Sequence, residues 1–510
     1  MVEATVEPLH NGHAKPAAPT VIRNLEPATG APLPEVPVTS PEDVVAAVGR
    51  AREAQKGWAA LGFAERRRRL LAFKDLLLER ADEVADLVHR ENGKPRFEAT
   101  LHDIVPVAML TTYYARKARG ILRDRRIGAP LFPHKRFYVR YEPRGVIGVI
   151  SPWNFPFSLP VGEIVTALAA GNGVVVKPSE FTPLTALKAK ELLDAAGVPA
   201  DLVAVVPGFG ATGAALLAAG VDMVAFTGSV ATGRKIAAAC GERLIPCTLE
   251  LGGKDPAVVL GDADLERAAR TVVFGAFANS GQICASVERV YVDRRILDPF
   301  TRRVVELTRS LRQGDDSGGE VDVGAMTTPA QLEIVRRHVA DAVAGGATVL
   351  AGGNARTEKG RFFEPTVLSG VDARMAVLHD ETFGPVLPIV PFDDEDEAVR
   401  LANGTAYGLN AYVFSKDRRH AEEVANRLTA GTVMVNDVLF THGVPEMPWG
   451  GVRDSGIGRT HGAQALREVC WMRHVATERV AWSAPWLYPY RRSVQQTLVR
   501  AVRAVLRLVA

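Results

Sequence analysis

Apolar positions along the chain follow two rhythms. Near the N-terminus they recur at helical spacing. Val44, Val45 and Val48 follow Ser40-Pro41-Glu42-Asp43, a capping sequence that predicts a helix over residues 40–58. Leu70, Leu71, Phe73, Leu76 and Leu77 carry a helical pattern over residues 64–89. The arginines at 66–69 lead it and read as a solvated helix face, with an anion site as the alternative. From Val146 the rhythm changes to short continuous apolar runs at 146–150, 174–176, 202–206 and 223–226. Helical patterns lie between them, at 183–196 and 213–219. Buried strands alternating with helices predict a parallel sheet covered on both faces.

Ligands in such sheets bind beyond the carboxyl ends of the strands, and polar and glycine-rich residues cluster there in this chain. Residues 252–431 repeat the alternation with another cadence and read as a second α/β unit. Residues 126–144 alternate weakly and carry Pro130, Pro133 and Pro143, which fits an arm or interface ribbon better than a core strand.

Composition narrows the classes. The chain has 510 residues, 47% hydrophobic and 23% charged, with net charge +3. At roughly 100–200 residues per domain it holds several units with cores of their own. It is neither collagenous nor a coiled coil nor disordered throughout. The near balance of charge gives no nucleic-acid footprint. Residues 1–20 lack the features of a signal peptide and are expected to form a disordered tail. No run reaches the roughly 18 apolar residues needed to span a bilayer. Cys240, Cys247, Cys284 and Cys470 form no C-x-x-C pair and read as reduced thiols in a cytoplasmic protein.

Several turns carry candidate chemistry. Gly208-Phe209-Gly210-Ala211-Thr212-Gly213 matches G-x-G-x-x-G between a strand and a helix. The acidic residue expected about 20 positions on is missing, so an ordinary strand–helix turn stays open beside the dinucleotide reading. Gly228, Ser229 and Gly233 lie in a second turn of this kind, where a helix start can bind phosphate. Lys177, Ser179 and Glu180 follow a third strand, and Lys and Glu can hydrogen-bond ribose hydroxyls. Cys284 sits among small polar residues, Asn279-Ser280-Gly281-Gln282 before it, in a loop suited to ligand approach rather than to a core strand. Glu250, between two leucines, is a base candidate or a surface glutamate at a strand end.

Taken together, these blocks resemble the aldehyde dehydrogenase superfamily, from about residue 23 to 489. The matching blocks are Pro152-Trp153-Asn154-Phe155-Pro156, Lys177-Pro178-Ser179-Glu180, Phe226-Thr227-Gly228-Ser229 and Leu249-Glu250-Leu251-Gly252-Gly253-Lys254. Gly281-Gln282-Ile283-Cys284, Glu381-Thr382-Phe383-Gly384-Pro385-Val386 and Asn436-Asp437 with Gly450-Gly451 complete the set. The resemblance implies an α/β fold of three parts. These are a Rossmann-type dinucleotide domain (residues 21–125 and 141–252), an α/β catalytic domain (253–431) and a small β oligomerisation ribbon (126–140 and 465–490).

The resemblance also implies roles. Cys284 is the nucleophile, in surroundings that favour its thiolate. The Asn154 amide and the Cys284 backbone N–H hold the oxyanion. Glu250 is the general base that activates water. Lys177 and Glu180 hold the adenosine ribose, Gly228 and Ser229 the pyrophosphate, and Glu381 the nicotinamide ribose, with Phe383 beside it. Pro152, Trp153, Ser179, Gly210, Gly233, Leu251 and Gly252 belong to the same cofactor-binding blocks. Aldehyde oxidation to a carboxylate with NAD, or with NADP, follows, without metal, in a homodimer or tetramer. Glu180 favours NAD by repelling a 2′-phosphate, while Lys177 can offset that repulsion. The alternatives are semialdehyde oxidation and acyl transfer to coenzyme A; the presence of Glu250 favours hydrolysis.

No arginine stands between Trp153 and Lys177 to hold a distal carboxylate. Phe155, Phe157, Tyr113, Tyr114, Phe440 and Ile283 are candidate apolar walls for an aliphatic or aromatic aldehyde, or ordinary core. Pro448-Trp449-Gly450-Gly451 departs from the family's Pro-Phe-Gly-Gly. Residues 491–510 form a basic amphipathic pattern, with Val494, Leu498, Ala501, Val505 and Val509 on one stripe and Gln496, Arg500, Arg503 and Arg507 on another. A helix of this kind can lie on an anionic membrane surface or pack on a subunit.

Overall fold

The parallel strands predicted from 146 onward assemble into one six-stranded sheet. Its order is Gly456–Ile457, Cys247–Glu250, Met223–Thr227, Val146–Ile150, Gly173–Lys177 and Val203–Val205, parallel except at the first pair. The structure, a computed structural model, describes residues 19–129, 132–480, 484 and 487–509. The expected N-terminal tail lies outside these as far as residue 18. Strand residues such as Val174, Val175, Val176 and Val224 are wholly buried, as continuous apolar runs require of a sheet covered on both faces.

A seven-stranded sheet forms the second unit, in the order Thr348–Ala351, Thr366–Ser369, Val386–Phe392, Val287–Asp293, Asp255–Val259, Asn410–Phe414 and Thr432–Val435. Only its first pair is antiparallel. The last strand carries this sheet past residue 431, the limit expected from sequence. The weakly alternating segment is a ribbon: Lys135–Pro143 pairs antiparallel with Arg125–Ile127 and, over nine positions, with Cys470–Glu478. Residues 465–468 belong instead to the helix Gly462–Glu468.

The N-terminal helices differ from expectation in detail. Ser40 caps the helix Pro41–Ala60 by accepting from the Asp43 N–H, but Val45 faces solvent. The pattern over 64–89 is two helices, Phe63–Glu79 and Ala81–Asn92, broken at Arg80. Apolar periodicity continues across that break, so the hydrophobic pattern alone does not mark it. Arg66 is not solvated. It is buried against Phe63 and donates to the carbonyls of Ala59 and Leu61. The C-terminal helix Arg492–Val509 is exposed along most of its length. Among the described residues no helix is long and apolar enough to cross a membrane.

Candidate active site

Strand order sets the candidate residues in a row along the carboxyl edge of the six-stranded sheet. Glu250, Leu251 and Gly252 end one strand; Gly228 and Ser229 follow the next. Pro152, Trp153 and Asn154 follow Val146–Ile150, the third. Lys177 ends the fourth, with Ser179 and Glu180 just beyond, and Gly210 opens the helix after the edge strand. This is where parallel α/β sheets place their ligands.

Cys284 is delivered from the other sheet, in the loop before Val287–Asp293. Asn279, Ser280 and Gly281 all take left-handed backbone there, with φ of 49°, 55° and 71°. A side chain at Gly281 would also strike the Gly384 carbonyl, so the position requires glycine. This close approach joins the Cys284 loop to the loop bearing Glu381 and Phe383. The strand end bearing Glu250 joins them through Gly252 and Gly253. A side chain on Gly252 would collide with the Glu381 carboxylate, and one on Gly253 with the Cys284 carbonyl. The Gly253 N–H donates to Glu381 Oε1 at 3.0 Å.

Asn154 is buried beside this loop. Its side-chain amide donates to the Gln282 carbonyl at 3.0 Å, which leaves one N–H free, and its Oδ1 has no partner. Its own carbonyl accepts from Lys94 Nζ at 2.8 Å and from Asn279 Nδ2 at 3.0 Å. Lys94 pairs with Asp103 at 2.8 Å, both side chains fully withdrawn from water. Asp103 also accepts from the N–H groups of Phe157 and Ser158. Glu98 accepts from the Asn279 N–H, and its burial pushes its carboxyl up to about 7. On the far side, Glu288 pairs with Lys254 at 2.5 Å and accepts from the N–H groups of Thr382 and Phe383. These five charged residues position the site. Lys254 lies within a quoted motif with no role attached; Lys94, Glu98, Asp103 and Glu288 lie outside every motif.

Glu250 is buried, and neither carboxylate oxygen has a partner among the described residues. Burial, then the neighbouring Glu163, raises its pKa well above the usual carboxylate range. Cys284 runs against expectation. Burial and the carboxyls of Glu381, Asp255 and Glu250 raise its thiol rather than favour the thiolate. Among the described residues, the charged groups that act most on this thiol are those three carboxyls. Burial likewise pushes Glu381 up to about 8.

The cofactor candidates divide by what they touch. Lys177 is buried and lies 3.3 Å from Glu180, whose carboxylate is one-third exposed. Ser179 accepts from the Phe181 N–H. Ser229 caps the helix Val230–Arg243 by accepting from Thr232 N–H, which leaves the earlier N–H groups of the first turn without an intrahelical acceptor. Phe383 stands edge-on to Trp153 at 5.4 Å. Gly233 packs tightly against Leu251, and Gly210 has open space around it.

Of the candidate walls, Phe155 and Ile283 pack with Cys284, together with Trp449. Phe157 and Tyr114 are fully buried core residues, and the Tyr114 hydroxyl donates to the Gly462 carbonyl. Tyr113 lines a separate groove of about 440 Å³ with Met109, and Phe440 is exposed. Trp449, the departure from the family pattern, thus packs beside Cys284. Among the described residues no group of three or more His, Cys, Asp and Glu is placed to hold a metal ion.

Comparison with known proteins agrees with this geometry. A sequence profile described as the Aldehyde dehydrogenase family matches residues 13–475. A Mycolicibacterium smegmatis protein provisionally named succinate-semialdehyde dehydrogenase (NADP(+)) is 42% identical over 482 residues, 94% of this chain and 93% of its own. A Methylomonas protein named 4,4'-diapolycopene aldehyde oxidase is 41% identical over 449 residues, 88% of this chain and 84% of its own. The structure of an NAD+ complex of Bacillus cereus aldehyde dehydrogenase superposes with a TM-score of 0.86 at 37% identity, covering 90% of this chain and 93% of that one. The chain belongs to the aldehyde dehydrogenase family.

Proposed function

We propose that the enzyme oxidises an aldehyde to a carboxylic acid with NAD(P), through a covalent intermediate on Cys284. The observation that carries this reading is the buried, unpartnered Glu250 carboxylate, at the end of a strand whose following glycines, Gly252 and Gly253, meet the Glu381 carboxylate and the Cys284 carbonyl. The Cys284 sulfur attacks the carbonyl carbon and forms a thiohemiacetal, while the carbonyl π electrons move to oxygen. The free N–H of Asn154 and the Cys284 backbone N–H receive that oxyanion. Because its surroundings raise the thiol, Cys284 must give up its proton to a base, and Glu250, itself raised by burial, is matched to take it. Bound NAD(P), which Lys177, Glu180 and Glu381 would hold, would supply the hydride acceptor; the carbon on Cys284 would lose its hydride as the oxyanion electrons re-form the C=O bond, leaving a thioester. Glu250 passes the thiol proton to solvent and then takes one from the water that attacks the thioester carbon; collapse of that adduct breaks the C–S bond, releases the acid and lets Glu250 return a proton to the Cys284 sulfur.

The donor set along the sheet edge suits a dinucleotide. Lys177 and Glu180 suit the adenosine ribose, the free N–H groups after Gly228 and Ser229 the pyrophosphate, and Glu381 the nicotinamide ribose. Pro152, Trp153, Leu251, Gly252 and Phe383 shape the cleft; Gly233 acts through its packing on Leu251. The aromatic and aliphatic wall of Phe155, Ile283 and Trp449 supports aliphatic or aromatic aldehydes. Semialdehyde oxidation is the second reading, favoured by the name of the M. smegmatis relative.

The test is NAD(P)H formation across short aliphatic, long aliphatic, aromatic and carboxylate-bearing aldehydes, with and without coenzyme A. Free acid formed at the same rate in both is expected. A requirement for coenzyme A, or silence with every aldehyde, would overturn the reading.

Assembly and location complete the proposal. The protein is a cytoplasmic homo-oligomer, dimer or tetramer, joined through the ribbon, whose strand Cys470–Glu478 exposes Trp471 and Met472. The helix Arg492–Val509 lies on an anionic membrane surface. Arg492, Arg500, Arg503 and Arg507 share one face, and Val494, Leu498 and Val505 lie on another. Co-sedimentation with phosphatidylglycerol vesicles, lost on deleting residues 491–510, is the expected result.

A further inference from the structure

Two histidines outside every motif stand against the aromatic residues that pack with Cys284. His102 lies in a π-helix, Thr100–Ile104, set between the helices Arg96–Ala99 and Val105–Ile121. Single π turns inside helices recur at functional sites because they redirect a side chain. Here Leu101 and Val105 face outward, while the His102 ring stands 6.1 Å from Phe155 and 6.2 Å from Phe274. His442 lies in the short 3-10 helix Phe440–Gly443, whose preceding residue, Leu439, has a φ of 63°. Its ring stands edge-on to Trp449 at 5.2 Å. Phe155 and Trp449 both pack in the cluster that holds Cys284. Two separate elements therefore bring an imidazole against two aromatic residues of one packing cluster, with His442 near enough to oppose the charging of His102.

Neither ring has a hydrogen-bond partner among the described residues, and His102 Nδ1 is wholly buried without one. Thr441 Oγ1, next to His442, is also buried and unpaired. Burial holds both imidazoles near a pKa of about 4, so each is neutral and offers one N–H and one lone pair. The nearest cation, Lys94, is committed to Asp103. A carboxylate placed here would lose its water against neutral donors alone, whereas a hydroxyl or carbonyl oxygen would be matched. Sites that bury unpaired donors select substrates that pair them.

We propose that His102 and His442 form an outer substrate subsite that reads a neutral oxygen, hydroxyl or carbonyl, on the far side of the aldehyde from its reacting carbon. The proposal rests on Cys284 as nucleophile. It narrows the substrate class to hydroxy- or oxo-aldehydes with an apolar body.

The experiment compares kcat/KM for benzaldehyde, 3-hydroxybenzaldehyde and 3-formylbenzoate, whose meta groups stay out of conjugation with the aldehyde. The hydroxylated compound is expected to exceed the parent about tenfold, the worth of one net hydrogen bond, and the carboxylate to fall below it. In His102→Phe and His442→Phe that ratio should fall toward one. His442→Gln, which keeps an N–H, should retain most of it. Ratios taken within one variant do not depend on how much of it folds, and the wild-type ratio stands without any variant. Equal turnover of the first two aldehydes by the wild type, a ratio unmoved in both Phe variants, or the carboxylate as best substrate would overturn the subsite alone. No NAD(P)H from any of the three would overturn the Cys284 reading, and the subsite with it.

Discussion

Two sets of buried polar groups meet at the Cys284 loop, and they follow opposite rules. On the Lys94 side each charge is matched. Lys94 is paired with Asp103, Asp103 also caps the chain at Phe157 and Ser158, and Glu98 holds the Asn279 N–H. On the Glu250 side both carboxylate oxygens are unpaired, as is Oδ1 of Asn154. An unpaired buried polar group is costly, and native interiors keep few of them. The paired set fixes backbone; the unpaired set, on the proposed mechanism, is left open for substrate and water. A buried polar residue is therefore better sorted by whether its partner is already in the protein than by its type.

That contrast breaks first at the nucleophile. Cys284→Ala removes the atom that forms the intermediate but leaves the paired scaffold whole. Aldehyde-dependent NAD(P)H formation should fall at least about 10⁴-fold, with the unfolding midpoint unchanged. A variant that kept turning over would mean that the open side is not where the chemistry happens.

Lys94→Met should show the reverse signature. It strands Asp103 in the interior, a loss of about 3–5 kcal/mol in stability. Denaturant unfolding should show this before any assay does. A midpoint equal to wild type would remove the distinction between the two sets.

Glu250→Gln sharpens the comparison from the other side. Loss of a general base costs about 10²–10⁴-fold in rate, and a slow release of acid after a rapid first hydride step is expected. Stability should not fall. Burial raises the folded pKa of Glu250, so the native chain holds a proton that the unfolded chain releases above about 4.5. That difference costs wild-type stability as pH rises from there toward the folded value, and glutamine abolishes it. The variant should therefore unfold no earlier than wild type at neutral pH, and relatively later than at pH 4. An equal gap at both pH values would mean that Glu250 is ionised in the native state.

The two sets also differ in how far sequence reveals them. Strand–helix alternation located four of the six strands of that sheet and put Asn154, Lys177 and Gly228 just beyond continuous apolar runs, whereas Glu250 ends Cys247–Glu250, which is not such a run. The resemblance then attached chemistry to the open set. The paired set gave no local signal. Glu98 and Asp103 are charged residues in helical sequence and Lys94 lies in the short link before it; the Asn154 carbonyl that Lys94 reaches is 60 residues away and the Asn279 N–H that Glu98 accepts is 181 residues away. His102 escaped for a related reason: a π turn shifts the phase of the helix by one residue, and periodicity fitted at 3.6 residues per turn cannot register it. The thiol of Cys284 was misjudged because the carboxyls that raise it, Glu381, Asp255 and Glu250, converge only in the fold.

The smallest expected effect concerns an ion pair between these extremes. Lys177 and Glu180 sit 3.3 Å apart, one buried and the other one-third exposed, paired with each other at the strand end where the adenosine ribose is proposed to bind. Glu180 would repel a 2′-phosphate, and it also engages the one cation near enough to attract it. Glu180→Ala removes the repulsion and frees Lys177 in one change. The ratio of kcat/KM for NADP over NAD should rise about tenfold, equivalent to ~1.4 kcal/mol. Solvent screening at the exposed carboxylate keeps the effect from being larger. Raising ionic strength should shrink the difference between variant and wild type. An unchanged ratio at low salt would place the adenosine ribose away from this pair, and the pair would then join the structural set with Lys94 and Asp103.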